Sequence, residues 1–526
     1  MRISSKKLLL TATCLFALAS RAEIRLPQFF SDNMVLQQDT QCRLWGWADG
    51  GGVVTVVTSW DYKTYSAIVG SDGRFEVTFQ TPVAGGPYDI TIKEQQSPIA
   101  HFSAAAPAEA DTTKVADADL YPTSSLLIEN IMVGEVWICS GQSNMEMTMK
   151  GYKQQPVEGA TEELLSCRDQ QLRLFTAKRN ASLTPASDLS GQWSEASSGS
   201  VREFSATAYY FGRSLRKALD VPVGLIVTSW GGSACEAWMS PEWLQAFPEV
   251  QQTVTEDDVR KLQQRCPTAL YNGQLRPLIG YAMRGAIWYQ GEDNIPRFNY
   301  YSLLMKSMVE GWRDEWKQGE FPFYYCQIAP YDYSLIGWKD SQYLREQQMQ
   351  AETMIANCRM AVLMDAGLRY GIHPRKKRQA GERLALLALG NTYQMKGMPD
   401  FAVYKETVFQ NDTAVISFDR SKEWIYFENG DPLMLTTSAG KQVCRNLEVA
   451  GPDHVFHPAT KAWVSRNRLY VVCDAVSRPV SVRYAWRDWA EGDLMHDGLP
   501  VSSFRTDDWE YNPQAVSTDK DYNNPQ

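Results

Sequence analysis

The sequence predicts an α/β domain built on a parallel sheet, with β-rich segments on both sides of it. From residue 131 to about residue 389, short apolar runs alternate with segments of helical periodicity, as strands and crossover helices do. Before and after that stretch, short strand-like runs are separated by turn residues. Polar, glycine-rich clusters follow several of the central strands. Open α/β sheets bind their ligands at that end of the strands, so the pattern also predicts where a site would lie.

The length of 526 residues exceeds one ordinary hydrophobic core and indicates several domains. With 44% hydrophobic and 21% charged residues, the chain has the composition of a globular protein. The predicted segments are a signal peptide (1–22), an N-terminal β-sandwich (23–130) with a loop insertion near 95–125, a catalytic domain (131–398), a C-terminal β-rich domain (399–515) and a disordered tail (516–526).

The first 22 residues have the pattern of a secretory signal. Arg2, Lys6 and Lys7 precede the apolar run from Leu8 to Ala19, and small residues surround a cleavage site at Ser20-Arg21-Ala22. The apolar run is too short to span a bilayer, which takes about 20 residues. We therefore expect an exported protein, periplasmic or extracellular, that is not embedded in a membrane.

Charge and cysteine usage exclude several classes of function. Loss of the first 22 residues removes four positive charges and takes the formal net charge from -9 to -13. An acidic chain without a basic block argues against nucleic acid and anionic membranes as partners. The nine remaining cysteines are scattered singly, which is neither a zinc pattern nor a small disulfide scaffold. We expect packed thiols, with one or two disulfides left open, and no metal or organic cofactor.

The predicted elements follow from local patterns taken in chain order. Helix 203–219 carries apolar residues at helical spacing, and helix 374–389 has Pro374 in its first turn. The predicted strands are 44–47, 53–57, 75–79 and 88–92 in the N-terminal segment, 136–139, 221–227, 285–289, 321–328 and 360–364 in the centre, and 414–418, 423–427, 469–473 and 480–484 in the C-terminal segment. The other predicted helices are 299–316 and 342–355.

A candidate nucleophile follows the first central strand. The apolar run Val136 to Cys139 breaks into Ser140-Gly141-Gln142-Ser143-Asn144. α/β hydrolases place a nucleophilic serine on such a turn, close to free backbone N–H groups. A single Gly-x-Ser is more often a plain polar turn. The hypothesis gains from similar clusters after two other strands, at Ser229 to Ser233 and at Gln290 to Glu292.

His373 is the candidate base. It lies in Gly371-Ile372-His373-Pro374, between a predicted strand and a predicted helix. A serine hydroxyl needs a base to take its proton, and imidazole titrates near the operating pH. The other four histidines lie in the loop insertion or in the C-terminal segment; they are His101, His454, His457 and His496. His454 and His457 have metal-like spacing, but no cysteine or carboxylate cluster accompanies them.

Four segments together carry a family resemblance. GEVWICSGQSNMEM, PVGLIVTSWGGSACEAWMS, GAIWYQGEDN and GIHPRKKRQAGERLAL resemble the sialate O-acetylesterases of the SGNH (GDSL-like) hydrolase superfamily. The resemblance covers most of the stretch from Leu26 to Trp509. It implies an SGNH-type three-layer α/β/α domain and a serine esterase that removes acetyl groups from O-acetylated sialic acid through an acyl-enzyme. The alternatives are an esterase of acetylated xylan or another acetylated glycan, and a catalytically lapsed carbohydrate-binding protein.

The resemblance also implies roles for individual residues. Ser143 would be the nucleophile and would give its backbone N–H to the oxyanion, with Gly232 as a second backbone donor. Gln290 would be the side-chain donor, and Asn294 is the alternative. Two arginines are candidates for a sialate carboxylate, although an arginine on a helix or loop is more often a surface ion-pair partner; they are Arg345 and Arg297.

One position departs from the family pattern. Many relatives read Asp-Ile-His-Pro, and this chain has Gly371 in place of the aspartate. The histidine needs an acceptor for its Nδ1–H so that Nε2 faces the serine. The backbone carbonyl of Gly371 could serve, or Asp365 could fold back to supply a carboxylate. We expect a Ser143–His373 dyad, with Asp365 as the open alternative.

Overall fold

The computed structural model describes residues 23–95, 122–421, 424–437 and 439–511. These residues form two compact units. The first contains 23–26, 45–77, 90–95 and 122–127, and the second contains 27–44, 78–89 and the described residues from 128 onward. The predicted signal peptide, most of the loop insertion and the predicted tail lie outside the described residues. The predicted domain boundaries stay predictions.

The N-terminal segment is made of short strands, as predicted. They are β1 (Val35–Gln37), β2 (Gln41–Trp47), β3 (Val53–Thr58), β4 (Thr64–Ile68), β5 (Arg74–Gln80) and β6 (Gly85–Gln95). In the first unit, β3 pairs antiparallel with β4 and with residues 90–95 of β6. Side chains on β3 alternate between buried and half-buried, with Val54 and Val56 buried. This alternation is what an antiparallel sheet with one covered face requires.

The second unit is organised around a central sheet. Its strands are β7 (Pro122–Gly141, of which residues 128–141 lie in this unit), β8 (Asp169–Thr176), β9 (Trp193–Ala196), β10 (Val223–Ser229), β11 (Gly285–Tyr289), β12 (Phe323–Cys326) and β13 (Cys358–Ala361). The spatial order is β13-β12-β11-β7-β10-β8-β9. All neighbours are parallel except β8 and β9. The predicted parallel sheet is confirmed, with one antiparallel strand added at its edge.

Helices cover both faces of this sheet. The described helices are α1 (Ser143–Glu146), α2 (Ala160–Ser166), α3 (Ser198–Arg202), α4 (Ala206–Leu219), α5 (Pro241–Leu244), α6 (Glu256–Leu262), α7 (Tyr301–Trp316), α8 (Ser341–Met354) and α9 (Lys377–Leu387). Helix α4 packs against α9, and α7 packs against α8. Helices α8 and α9 both pack against β13 but belong to different helix pairs, which is consistent with one pair on each face of the sheet.

The central strands are buried on both sides because of this double cover. Every residue of β10 and of β11 is buried, which explains their nearly continuous apolar sequences. Tryptophans fill the layer around β11, where Trp288 packs edge-to-face against Trp238 and Trp312 with ring centroids 6.0 Å apart in both pairs. The nine described cysteines are buried free thiols, so the packed-thiol prediction is confirmed. None of the helices in the described part of the chain is long and apolar enough to cross a membrane.

The C-terminal segment is β-rich, as predicted. Its strands are β14 (Val403–Gln410), β15 (Thr413–Asp419), β16 (Ile425–Phe427), β17 (Met434–Thr436), β18 (Gln442–Cys444), β19 (Leu447–Ala450), β20 (Phe456–Pro458), β21 (Lys461–Ser465), β22 (Arg468–Val472), β23 (Ser481–Tyr484), β24 (Leu494–His496), β25 (Leu499–Pro500) and β26 (Phe504–Arg505). Its two largest sheets have the orders β14-β15-β22-β21 and β20-β19-β23-β26, both antiparallel.

One helix boundary differs from the prediction in a way that affects the site. Helix α9 begins at Lys377, so Pro374 lies before it and not in its first turn. The residues before the helix are held in another conformation by contacts with the site: the Ile372 carbonyl accepts a hydrogen bond from Asn144 Nδ2, and Lys376 Nζ donates to the Asp365 carbonyl. His373 therefore lies on a loop and not at a helix end.

Candidate active site

Three central strands end at the same level. Ser229 at the end of β10 and Tyr289 at the end of β11 are both paired with Gly141 at the end of β7. The ends of β7 and β11 can approach this closely only with glycine at position 141, because a Cβ there would lie 2.2 Å from the Tyr289 carbonyl oxygen. Gly141 also has a φ of +136°, which disfavours other residues. The loops after these strands consequently meet at one edge of the sheet.

A cavity of about 470 Å³ lies at this edge. Loops that follow six of the central strands contribute to its wall. The lining residues are Gln142, Ser143, Glu146, Tyr152, Arg179, Gly231, Gly232, Arg265, Glu292, Asp293, Ile336, Trp338, Ile372 and His373. The structure thus brings together Ser143, Gly232 and His373 from three distant parts of the sequence.

Ser143 is the first residue of α1, where backbone N–H groups have no partner within the helix. The loop after β10 approaches it through glycine, since a Cβ on Gly231 would lie 3.2 Å from Ser143 Cβ. Glu146 fixes this loop: its Oε2 accepts the Gly231 N–H at 2.9 Å, and its Oε1 accepts Arg179 Nε at 2.7 Å. The N–H of Gly232 makes no hydrogen bond to another described residue and remains available at the cavity.

The His373 ring is held on two sides. Its Nδ1 lies 2.7 Å from Oε1 of Gln155. The His373 ring also makes a T-shaped contact with the Tyr152 ring, with the two ring centroids 4.9 Å apart. Burial and the nearby Lys377 ammonium lower the pKa of His373 to about 4. The imidazole is therefore neutral at ordinary pH. In the described part of the chain, the His373 ring and the Ser143 hydroxyl are not hydrogen-bonded to each other. In enzymes of this kind such a bond commonly tightens only when substrate is bound.

The acceptor for the Nδ1–H differs from both expectations. Asp365 does not bind His373, because Arg383 on α9 holds both of its carboxylate oxygens at 2.6 Å. The carbonyl of Gly371 is not the acceptor either, since the side-chain amide of Gln155 occupies that place. Gln155 lies in a polar loop before α2 that carries no recognisable motif, so no sequence pattern pointed to it.

Gln290 and Asn294 do not reach the cavity wall. Both are fully buried, and their amide groups are used inside the protein. Gln290 Nε2 donates to the Ser233 carbonyl at 3.1 Å and to Asn294 Oδ1 at 2.7 Å. Asn294 Nδ2 donates to Glu236 Oε2 at 2.9 Å. In this structure the two side chains tie the loops after β10 and β11 together and are not placed as oxyanion donors.

The two arginines expected to bind substrate also lie elsewhere. Arg345 is fully buried and donates to Ser503 Oγ at 3.1 Å, and burial lowers its pKa to about 10. Arg297 pairs with Glu236 at 3.1 Å. Neither lines the cavity, whereas Arg179 and Arg265 do.

A buried polar cluster connects the serine turn to the histidine loop. Asn144 Nδ2 donates to Glu292 Oε1 at 2.6 Å and to the Ile372 carbonyl at 3.2 Å, while Lys377 Nζ donates to Asn144 Oδ1 at 2.5 Å. Burial raises the pKa of Glu292 and lowers that of Lys377 to about 7. Asn144 and Glu292 belong to the motifs noted in the sequence, but their contact could not be read from it.

Comparisons with known proteins identify relatives of this chain. A family model described as carbohydrate esterase, sialic acid-specific acetylesterase, matches residues 133–387. The sialate O-acetylesterase of Pongo abelii is 26% identical over 508 residues, covering 88% of this chain and 88% of that protein. The sialate O-acetylesterase of Rattus norvegicus is 26% identical over 529 residues, covering 88% of this chain and 90% of that protein.

A solved structure matches over nearly the whole chain. A carbohydrate acetylesterase from Xanthomonas citri superposes with a TM-score of 0.78 at 30% identity, covering 92% of this chain and 100% of that chain. The matched family region contains the end of β7 and all of β8, β10, β11, β12 and β13, the six strands whose loops line the cavity, together with Ser143 and His373. The chain therefore belongs to the carbohydrate acetylesterases and is a carboxylic ester hydrolase.

Proposed function

We propose that this protein is a serine carbohydrate esterase that removes O-acetyl groups from sialic acids through an acyl-enzyme. One observation carries the proposal: the hydroxyl-bearing first residue of α1 and a neutral imidazole line the same cavity, beside an unoccupied Gly232 N–H. The sheet order and the two helix layers support an SGNH-type domain. The pattern of residues 1–22 supports export to the periplasm or the extracellular space.

In the proposed mechanism, His373 Nε2 takes the proton of the Ser143 hydroxyl as Oγ attacks the acetyl carbonyl carbon. The negative charge that develops on the carbonyl oxygen is held by the N–H groups of Ser143 and Gly232, and one such donor is worth ~2.7–4 kcal/mol. His373 then protonates the sugar oxygen, which leaves as an alcohol. A water molecule, deprotonated by the same imidazole, attacks the acetyl-serine and releases acetate.

The substrate proposal rests on the curated relatives and on two arginines at the cavity. The relatives from Pongo abelii and Rattus norvegicus are named sialate O-acetylesterases. Arg179 and Arg265 line the cavity, each paired at 2.7 Å with a carboxylate of the same wall, Glu146 and Asp293 respectively; a guanidinium has further N–H groups that suit the carboxylate of a sialic acid. An esterase of a neutral acetylated glycan is the second candidate, favoured by the apolar wall that Ile336 and Trp338 provide for a sugar ring.

Acetate release tests both parts of the proposal. The wild type should release acetate from O-acetylated sialic acid at a higher kcat/KM than from acetylated xylo-oligosaccharides, and Ser143→Ala should be inactive on both. Ser140→Ala is the matched control. Ser140 lies three residues earlier, and its buried hydroxyl has no partner in the described chain, so its loss should leave activity unchanged. Turnover of xylan alone would reject the sialate assignment, and an active Ser143→Ala would reject the nucleophile.

A further inference from the structure

We propose that Gln155 is the positioning residue of this site, fixing the tautomer and orientation of His373 in the place that a Ser-His-Asp triad gives to a carboxylate. The inference rests on the proposed function, because it assigns a role relative to His373 as the base. It adds a residue that no sequence motif pointed to.

The contact itself defines the tautomer. His373 Nδ1 and Gln155 Oε1 are 2.7 Å apart, which is a hydrogen-bond distance. An amide oxygen can only accept, so the proton must be on Nδ1. The lone pair of the neutral imidazole is then on Nε2, as a general base requires.

Gln155 is held in place by a tight turn. The backbones of Tyr152 and Gln155 form two hydrogen bonds, with Tyr152 N donating to the Gln155 carbonyl at 3.1 Å and Gln155 N donating to the Tyr152 carbonyl at 3.0 Å. The preceding Gly151 has a φ of +77°, and a Cβ there would lie 2.3 Å from the Gln155 carbonyl oxygen. The turn therefore requires glycine at position 151, and the Gln155 side chain extends from a constrained backbone.

The same turn contacts both members of the dyad. The Tyr152 hydroxyl donates to the Ser143 carbonyl at 3.2 Å, and the Tyr152 ring packs against His373. Consequently the short segment from Gly151 to Gln155 fixes the histidine relative to the serine. If the Gln155 amide only stabilised the turn, it would not need to form a hydrogen bond with Nδ1 of His373.

A neutral acceptor has an electrostatic consequence. An aspartate in this position would stabilise the imidazolium and raise the histidine pKa, whereas an amide leaves the effects of burial and of Lys377 unopposed. Tyr152 packs against the ring, and the other titratable groups that line the cavity are Glu146, Arg179, Arg265, Glu292 and Asp293. The imidazole therefore stays in its basic form in mildly acidic solution, at the cost of weaker stabilisation of the imidazolium formed during reaction.

The experiment replaces Gln155 in two ways and uses its neighbour as a matched control. Gln155→Ala removes the acceptor, and Gln155→Glu keeps the shape while supplying a carboxylate. Gln154 lies in the same turn with an exposed side chain, so Gln154→Ala and Gln154→Glu make the same chemical changes without contact with the ring. The measurement is kcat and KM on one small acetyl ester from pH 3.5 to pH 8, with folding checked by circular dichroism.

We expect Gln155→Ala to lower kcat about 100-fold with little change in KM, the size of loss that follows from a misplaced catalytic group. Gln155→Glu should recover most of the activity and move the acid limb of the kcat/KM profile to higher pH, because a carboxylate favours the protonated ring. Both Gln154 variants should behave as wild type. In ¹⁵N spectra of the ring, wild type should show the Nδ1–H tautomer and Gln155→Ala a mixture of tautomers.

Wild-type kcat in Gln155→Ala would overturn the inference, and so would an acid limb in Gln155→Glu that does not move relative to Gln154→Glu. Gln155→Glu has the same size as the native residue and keeps the test valid if the alanine variant does not fold. Ser143→Ala separates the two proposals: if it is inactive while Gln155→Ala is fully active, only the positioning role fails. If Ser143→Ala is active, the proposed function fails whatever Gln155 does.

Discussion

Replacement of Asp365 by asparagine separates a structural carboxylate from a catalytic one. In the structure, Asp365 forms two 2.6 Å hydrogen bonds with Arg383, and the exposed fractions of the two side chains are 18% and 7%. Removing one partner of a buried pair costs about 3–5 kcal/mol, since the other charge is left uncompensated. The asparagine keeps one oxygen, and the site is partly exposed. We therefore expect the free energy of unfolding to fall by about 3 kcal/mol, the lower end of that range.

The same substitution should leave catalysis nearly unchanged. If Asp365 were a triad member, amidation would cost ~10⁴-fold in kcat. Because Gln155 occupies the Nδ1 side of His373, we expect kcat/KM within a few-fold of wild type. The assay is urea unfolding followed by tryptophan fluorescence, together with kcat/KM on a small acetyl ester at a temperature where the variant is folded.

A matched control lies in the C-terminal strands. Asp507 accepts two hydrogen bonds from Arg483 at 2.9 and 3.0 Å and also contacts Arg505 and Ser481, so Asp507→Asn disturbs a buried Arg–Asp contact outside the catalytic sheet. Both variants should lose stability and keep activity. A loss in Asp365→Asn comparable to that of His373→Ala, measured on folded protein, would refute the assignment of Gln155 and restore a carboxylate triad.

Further predictions concern pH, backbone geometry and metals. Because the pKa of His373 lies at about 4 and its protonation removes the base, kcat/KM should stay level from pH 7 to pH 5 and fall only as pH drops through about 4; an acid limb at 6.5 would contradict this. Gly141→Ala should give insoluble or inactive protein, since its Cβ would lie 2.2 Å from the Tyr289 carbonyl, and soluble active protein would refute the stated clash. Gly371→Asp should keep wild-type activity within a few-fold, because a Cβ there meets only the flexible Leu368 side chain; a collapse would show that the loop tolerates no side chain. EDTA should not change activity, and loss that added metal restores would count against a metal-free mechanism.

The sequence by itself determined the fold class and the main chemical groups. Alternation of apolar strands with amphipathic helices is a local property, so β11 was predicted residue for residue and α7 to within two residues. The nucleophile and base were indicated because Ser143 and His373 follow strands, and parallel strands end at one edge of a sheet. Patterns of this kind depend only on neighbours along the chain.

Tertiary structure alone decided which polar groups meet. Gln290 and Asn294 lie in a motif after a strand, yet their side chains turn into the protein and bond to one another. Arg345 was expected at the surface or the substrate, and it is buried where α8 meets the C-terminal segment. A side chain's direction depends on packing between distant elements, which spacing along the chain does not encode.

The partner of His373 shows this limit most clearly. The sequence established that the usual aspartate is replaced by Gly371, and therefore that another acceptor was needed. It could not identify Gln155, which is 218 positions away and belongs to a polar loop without periodicity. Only the folded chain brings the turn after α1 against the loop after β13, because β7 and β13 are strands of the same parallel sheet and their ends face the same cavity.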